Sequence, residues 1–359
     1  MNFNYINIIL YLYISMSILY TNFYKTNFPD VINLIGFDLD YTLIKTKSGN
    51  VFPKDNNDWL LLYPEVKPKL IELAKNKHNI IVIFSNQKGV KNETEFMIKI
   101  NNIHKLLETD FIFIAALEDD IFRKPRNGMY RYLKQELKVK INKKNSYYVG
   151  DMAGRVNDKT DTDFKFAHNI GLPFYTPEEF FLGRMKEPYK LKGYLLNSNM
   201  TNTSISINSN IKKRMIIISG YPGSGKTYLA EELKSKYNFD IISKDLYGTK
   251  FNKKIIEQLE ENKSIIVEGL YSSNSSRNML KELAKKYGYS TLYICIATSY
   301  ELSYHMNLFR KLYEDKSYVP EIVYMKYRKE FEPIIESDWD QFINYHPNVP
   351  DKINKYYLF

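Results

Sequence analysis

The sequence predicts an α/β protein of two lobes, each built on a mostly parallel sheet. Three observations carry that prediction. Short apolar runs alternate with stretches of helical periodicity, the pattern of strand–helix–strand units. Polar signatures follow directly on the apolar runs, where open α/β sheets bind ligands. Between the halves, NSNMTNTSISINSN (residues 197–210) has 11 of its 14 residues as Ser, Thr or Asn, which is linker composition. The strand–helix order then restarts. A chain of 359 residues accommodates two ordinary domains. The expected division is an apolar extension over 1–33, a first domain over 34–190, a linker over 191–212 and a second domain over 213–359.

In chain order, Tyr5–Tyr24 (YINIILYLYISMSILYTNFY) is apolar enough to resemble a signal sequence or membrane anchor. No Lys or Arg precedes it, and Asn7, Ser15, Ser17, Thr21 and Asn22 interrupt it. A packed strand or helix has the same composition, so membrane contact is the lesser expectation. Leu34–Leu43 then reads as a short strand running out into Asp38 and Asp40. Side chains two apart in an extended chain point the same way, so both carboxylates face one pocket. Two close carboxylates repel unless a cation or shared proton intervenes. The pair therefore suggests Mg²⁺ with oxygen ligands and one carboxylate free as nucleophile. A helix cap or turn accounts equally well for an isolated Asp-x-Asp.

Lys45–Trp59 is polar, with Gly49 and Pro53, and reads as a loop or flap. A helix is expected from Pro64 to about Lys77, with Val66, Leu70, Leu73 and Ala74 on one face. The later strands are Asn79–Phe84, closed by Ser85, Phe111–Ala116, and Ser146–Val149, which ends in Gly150-Asp151. Helices Glu93–Leu107 and Met129–Leu137 separate them, Arg123-Lys124-Pro125 precedes the second helix, and a turn and helix follow over Phe174–Phe181. Asp38, Ser85, Lys124 and Asp151 thus all lie beyond strand ends. Carboxylates gathered this way need their field neutralised, which a divalent metal and Lys124 would do.

Composition narrows the partner. The net charge is +10, a balance that favours a polyanion such as nucleic acid or a membrane surface. With Cys295 alone, neither an intrachain disulfide nor a cysteine-based zinc site can form, which fits a reducing compartment. The five histidines show no metal-ligand spacing.

The runs GFDLDYTLIKTKSGNVFP, DWLLLYPEV, FSNQKGV, RKPRNGM, VGDMAGR and NIGLPFYTPEEFF resemble the haloacid dehalogenase-type phosphatase half of eukaryotic-type polynucleotide kinase 3′-phosphatases. The resemblance covers nearly all of residues 34–183. It implies that Asp38 attacks the 3′-phosphate, and that Asp40 protonates the leaving hydroxyl and then activates water. Asp38, the backbone carbonyl of Asp40, and Asp151 would hold Mg²⁺. Ser85 and Lys124 would bind the phosphoryl group, with Arg123 near the nucleic acid and Asp163 a lesser candidate around the metal. Tyr41 departs from the family's Asp-x-Asp-Gly-Thr pattern, where glycine allows a bend that a side chain hinders.

In the second half, strand Arg214–Ser219 leads into Gly220-Tyr221-Pro222-Gly223-Ser224-Gly225-Lys226-Thr227 and then a helix to about Tyr237. This is the phosphate-cradling loop, in the context it requires. Its backbone N–H groups curl round phosphates; Lys226 reaches the β/γ-phosphates of a nucleotide and Thr227 ligates Mg²⁺, a pattern that ATPases, GTPases and small kinases share. Further strands are expected at Phe239–Ser243, Ser264–Glu268 and Thr291–Ala297. Asp245 follows the first of them, where a carboxylate can accept a proton from an attacking hydroxyl. This half resembles the polynucleotide 5′-kinases. The resemblance makes Asp245 the general base, Lys244 a substitute for the family's Arg, Arg277 a substrate-phosphate ligand and Arg310 a lid cation on ATP. Glu268-Gly269-Leu270-Tyr271 departs from the family's Asp-Asn-Thr-Asn.

The favoured reading is a bifunctional nucleic-acid end-healing enzyme of DNA repair, acting on 3′-phosphate and 5′-hydroxyl ends of DNA, with RNA as an alternative. It uses Mg²⁺ and ATP, is a monomer without a phosphopeptide-binding domain, and is intracellular, with the nucleus first. Two other readings stand beside it. One is a phosphatase alone, or a small-metabolite phosphatase and kinase with a degenerate second lobe. The other is a non-catalytic nucleic-acid-binding protein.

Overall fold

The computed structural model describes residues 17–196, 205–207 and 213–359. The chain forms two units: Met1–Leu195 together with Lys355–Phe359, and Leu196–Asn354.

The first unit contains β1 (Ile18–Asn22), β2 (Val31–Phe37), β3 (Ile44–Lys45), β4 (Leu60–Leu61), β5 (Asn79–Asn86), β6 (Ile112–Ala116), β7 (Lys140–Ile141), β8 (Tyr147–Val149) and β9 (Phe174–Tyr175). Its main sheet has the order β1-β6-β5-β2-β8-β9, with β7 beside β2. All of these pairings are parallel except the antiparallel edge β1–β6. Alternation places the core on both faces. Ile32, Leu34, Ile80, Val82 and Phe84 enter one apolar layer, while Ile35, Phe37, Ile81 and Ile83 enter the other. Burying each such side chain contributes about 1.5–3 kcal/mol, so a one-residue slip of register would be strongly opposed.

Helices cover the sheet. Glu93–Leu107 starts under Asn92, whose side chain accepts from Glu95 N–H. Pro177–Leu182 starts in a reciprocal capping box between Thr176 and Glu179. β3 and β4 pair antiparallel and close the expected flap between them.

The described part of the extension over 1–33 belongs to the fold, as a packed strand of that composition would, and one expectation about chain organisation is corrected. Ile18–Asn22 is paired along its length with Ile112–Ala116, and Ile18 is buried in the core. The remainder of the Tyr5–Tyr24 run, residues 5–16, lies outside the described residues. Among the described residues no helix is long and apolar enough to cross a membrane. Lys355–Phe359, expected with the second domain, packs with the first unit instead. Most of the expected linker, 197–204 and 208–212, also lies outside the described residues.

The second unit contains β10 (Arg214–Ser219), β11 (Asp240–Ser243), β12 (Ile265–Glu268), β13 (Ser290–Ile296) and β14 (Gln341–Tyr345). All are parallel, in the order β11-β12-β10-β13-β14. Met215 and Ile217 face one apolar layer, Ile216 and Ile218 the other. The chain moves from β10 out to β11 and β12 on one side, then crosses to β13 on the other. That switch leaves a crevice at the carboxyl edge, beside the loop after β10. β9 and β14 are strands that the sequence pattern did not predict.

Candidate active sites

Parallel strands carry the first unit's signatures to one edge. Asp38 follows β2, Ser85 and Asn86 end β5, Asp151 follows β8, and Lys124 lies in the connection after β6. They line a cleft of about 1100 Å³ that also includes Asp40, Tyr41, Phe52, Gln87 and Asp163. Lys124 is its electrostatic centre. Its Nζ donates to Asp38 Oδ1 at 2.6 Å, to Asp163 Oδ1 at 2.8 Å and to the Tyr148 hydroxyl at 2.9 Å. Burial works against its charge, but Asp163 and Asp38 outweigh burial and raise its pKa. The Lys124 backbone is clamped from both sides. Its N–H donates to Asn86 Oδ1 at 2.9 Å, and its carbonyl accepts from Asn86 Nδ2 at 3.1 Å.

Asp38, Asp151 and Asp163 each place a carboxylate oxygen within 4.8 Å of the others. Against these three carboxylates the cluster sets one ammonium. Burial first, partly offset by Lys124, pushes Asp38 up to about 7. Burial, then Asp163 and Asp38, pushes Asp151 up to about 9. Carboxylates held this unfavourably charged, with only oxygen donors, fit a hard divalent cation. Asp163, a lesser candidate by sequence, belongs fully to this cluster. Asp40 contributes no carboxylate oxygen to it; its Oδ2 instead accepts from Gln87 Nε2 at 2.6 Å. The same Gln87 nitrogen donates to Ser85 Oγ at 2.8 Å. Gly150 allows Asp163 in, since a Cβ there would stand 2.6 Å from the Asp163 Cβ and Cγ.

Tyr41 keeps the conformation that a glycine would take. Its φ is 56°, a left-handed geometry that costs a side-chain-bearing residue about 1–3 kcal/mol. Its hydroxyl donates toward Asn50 O at 3.1 Å and Val51 O at 3.0 Å. The bend is therefore kept, and the ring pins the loop that forms one wall of the cleft. Arg123 does not line the cleft; its Nη1 is buried without a hydrogen-bond partner among the described residues. The sequence reading missed Asn86, Gln87 and Tyr148. The first two were visible as neighbours of Ser85, whereas Tyr148 reads as an ordinary strand aromatic.

In the second unit, the loop Gly220–Thr227 joins β10 to the helix Lys226–Tyr237. Gly223 has φ 72°, and a Cβ there would stand 2.8 Å from Ser303 O. Lys226 Nζ donates to Gly220 O at 3.1 Å and Tyr221 O at 2.6 Å, within its own loop. Burial lowers its pKa to about 8, Glu268 and Asp245 pull it up, and Arg310 pulls it down. Glu268, Asp245 and Arg310 thus all act on the loop lysine. Thr227 Oγ1 donates to Glu268 Oε1 at 3.1 Å. Ser224 Oγ, Glu268 Oε2 and Arg310 Nε are buried and lack a partner among the described residues, which fits a cradle for phosphates and a metal. Tyr221 packs its ring 4.6 Å from Tyr327, and Pro222 and Gly225 complete the turn. Asp245 is exposed in the first turn after β11.

Arg277 is a correction. It is 3 % exposed, and its donors go to Tyr271 O, Ser272 O, Asn274 Oδ1, Glu332 O and Pro333 O. Both terminal nitrogens of the guanidinium are thus spent on local acceptors that join two loops, which opposes the expected role on a substrate phosphate.

Fold and sites together define a two-unit α/β protein, one unit built round an aspartate–lysine centre and the other round a phosphate-cradling loop. The family model described as polynucleotide kinase 3 phosphatase matches residues 33–181. A bifunctional polynucleotide phosphatase/kinase of Schizosaccharomyces pombe is 36% identical over 313 residues, covering 84% of this chain and 76% of the relative. A putative bifunctional polynucleotide phosphatase/kinase of Acanthamoeba polyphaga mimivirus is 31% identical over 368 residues, covering 88% and 85%. A polynucleotide 3′-phosphatase of Saccharomyces cerevisiae is 31% identical over 212 residues, covering 42% of this chain and 88% of the relative. The chain belongs to the bifunctional polynucleotide phosphatase/kinase family.

Proposed function

We propose that this protein heals nucleic-acid ends, removing 3′-phosphates in the first unit and phosphorylating 5′-hydroxyls from ATP in the second. The observation that carries the reading is Lys124 bonded at once to Asp38 and Asp163, in a chain whose relatives along most of its length are phosphatase/kinases.

Asp38 is the nucleophile: its free oxygen attacks phosphorus, the P–O bond to the 3′-oxygen breaks, and an aspartyl-phosphate forms. Asp40, oriented by Gln87, gives a proton to the leaving 3′-oxygen and later takes one from the hydrolytic water. Ser85 and Lys124 hold phosphoryl oxygens. Asp38, Asp151 and Asp163, with the Asp40 carbonyl, would hold Mg²⁺, which when bound supplies positive charge to the phosphoryl group. In the second unit, Lys226 leaves its own loop carbonyls for the ATP phosphates, with Gly220–Gly225 as the cradle. Thr227 and Glu268 serve the metal, Arg310 the phosphates, and Asp245 accepts the proton of the attacking 5′-hydroxyl. The substrate is DNA, with RNA as the second choice; the protein acts as a monomer inside the cell, in the nucleus.

The test is a duplex nick bearing 3′-phosphate and 5′-hydroxyl, incubated with protein, ATP and Mg²⁺. The expected products are 3′-hydroxyl and 5′-phosphate. Turnover of a generic phosphomonoester but neither nick end would overturn the reading.

A further inference from the structure

The segment Tyr357–Phe359 lies more than 150 residues after Leu195, where the main body of its unit ends, yet buried side chains of that unit hold its backbone. Asn169 meets Tyr357 in both directions. Its Oδ1 accepts from Tyr357 N–H at 2.8 Å, and its Nδ2 donates to Tyr357 O at 2.8 Å. Arg126 Nε donates to Leu358 O at 3.1 Å. Lys165 Nζ donates to Phe359 O at 2.8 Å and lies 5.3 and 5.7 Å from the Tyr357 and Phe359 ring centroids. Tyr357 and Leu358 are buried, as are their three partners.

These partners are tied to the aspartate–lysine centre. Asn169 Nδ2 also donates to Pro125 O at 2.7 Å. Arg126 also holds the start of the Lys124 connection, donating to Asp119 Oδ1 at 2.6 Å and Asp120 O at 2.7 Å. Asn169 and Lys165 share the helix Thr162–Ile170 with Asp163, which bonds Lys124. Lys124 is thus fixed by Asn86 through its own backbone, and by Tyr357–Phe359 through the two residues after it.

We propose that Tyr357–Phe359 is a positioning element of the 3′-phosphatase, holding the Lys124-Pro125-Arg126 segment so that Nζ meets Asp38 and the phosphoryl group. The proposal rests on the phosphatase reading above. The segment touches no reacting atom; it acts through Lys124.

The experiment uses the full chain and a chain lacking Tyr357–Phe359, each with and without Lys124→Met. 3′-Phosphatase kcat and KM and 5′-kinase activity are measured on one preparation of each. Wild-type turnover of 3′-phosphate tests the phosphatase reading by itself, before any variant is compared. Misplacing a catalytic group by about 1 Å can cost on the order of 100-fold, so the truncation is expected to lower kcat by about tenfold or more. KM and kinase activity are expected to hold. In the Lys124→Met background the truncation is expected to add no further loss, because its effect passes through that lysine. A truncated chain with wild-type kcat overturns the proposal, and so does an equal loss with and without Lys124. If the truncated chain does not fold, Asn169→Asp decides, since it keeps the acceptor for Tyr357 N–H and loses both donors. A lowered kcat at unchanged KM, absent in the Lys124→Met background, supports the proposal; unchanged kcat overturns it.

Discussion

Lys124 sits among three acceptors at 2.6 to 2.9 Å, so its removal acts on charge before it acts on shape. Breaking a buried ion pair by deleting one partner costs about 3–5 kcal/mol. Lys124→Met is therefore expected to lower 3′-phosphatase kcat strongly, to a residual but measurable rate, and to lower the thermal midpoint in metal-free buffer. Gly150→Ala should have the same catalytic effect by another route, because its Cβ would displace Asp163; kinase activity in the same preparation should be unaffected. The raised carboxylates carry a pH signature. Asp38 and Asp151 stand at about 7 and about 9 in the folded chain, against an ordinary carboxyl near 4. The folded chain therefore binds more protons than the unfolded one between these values. Without metal, the contribution of these two groups to stability is fullest below about pH 4 and falls as pH rises through 7 toward 9. Mg²⁺ binds the ionised form, so the gain in melting midpoint on adding Mg²⁺ to EDTA-treated protein should be larger at pH 8 than at pH 5. Equal gains at both would show that these carboxylates do not hold the metal.

Elements decide matters that single residues cannot. β1 closes one edge of the first sheet along β6, with Ile18 in the core. Deleting residues 1–22 strips that edge and exposes apolar surface, and burying Ile18 alone is worth about 1.5–3 kcal/mol. The truncated chain should melt several degrees lower and aggregate through the bared β6; an unchanged melting curve would show the edge to be dispensable. The loop after β10 is the other case. Gly223 combines φ 72° with a Cβ that would meet Ser303 O at 2.8 Å. Gly223→Ala should abolish nucleotide binding, read by ATP titration, while phosphatase turnover continues. Element prediction failed at short edge strands. β1 lies in a run whose composition suits a leader or a packed strand alike, because apolar composition does not name its partner. β9 and β14 run for two and five residues, too short or too weakly patterned to register as periodic.

At the scale of the whole molecule, two sheets each gather their own chemistry. Asp38→Ala and Lys226→Ala should divide the activities cleanly: the first loses 3′-phosphatase and keeps kinase, the second does the reverse. A nick treated with both variants mixed should be healed as by wild type, and failure of that complementation would show that one molecule must do both steps. The net charge of +10 adds an expectation about binding. Affinity for oligonucleotides should fall linearly with salt on logarithmic axes, measured with the Asp38→Ala chain to prevent turnover.

The sequence by itself determined which residues stand at the carboxyl edges of the strands. Asp38, Ser85, Asp151, the Gly220–Thr227 loop and Asp245 were legible because each lies within a few residues of an apolar run, and parallel order does the rest; Lys124, farther from its strand, was legible through the run RKPRNGM. The tertiary structure alone decided which of those residues meet. It brought Asp163 and Tyr148 to Lys124, turned Asp40 toward Gln87, spent Arg277 on loop carbonyls and returned Lys355–Phe359 to the first unit. Those outcomes depend on contacts between residues far apart in the chain. Such contacts are set by the packing of helices and loops on a finished sheet, and no local periodicity records them.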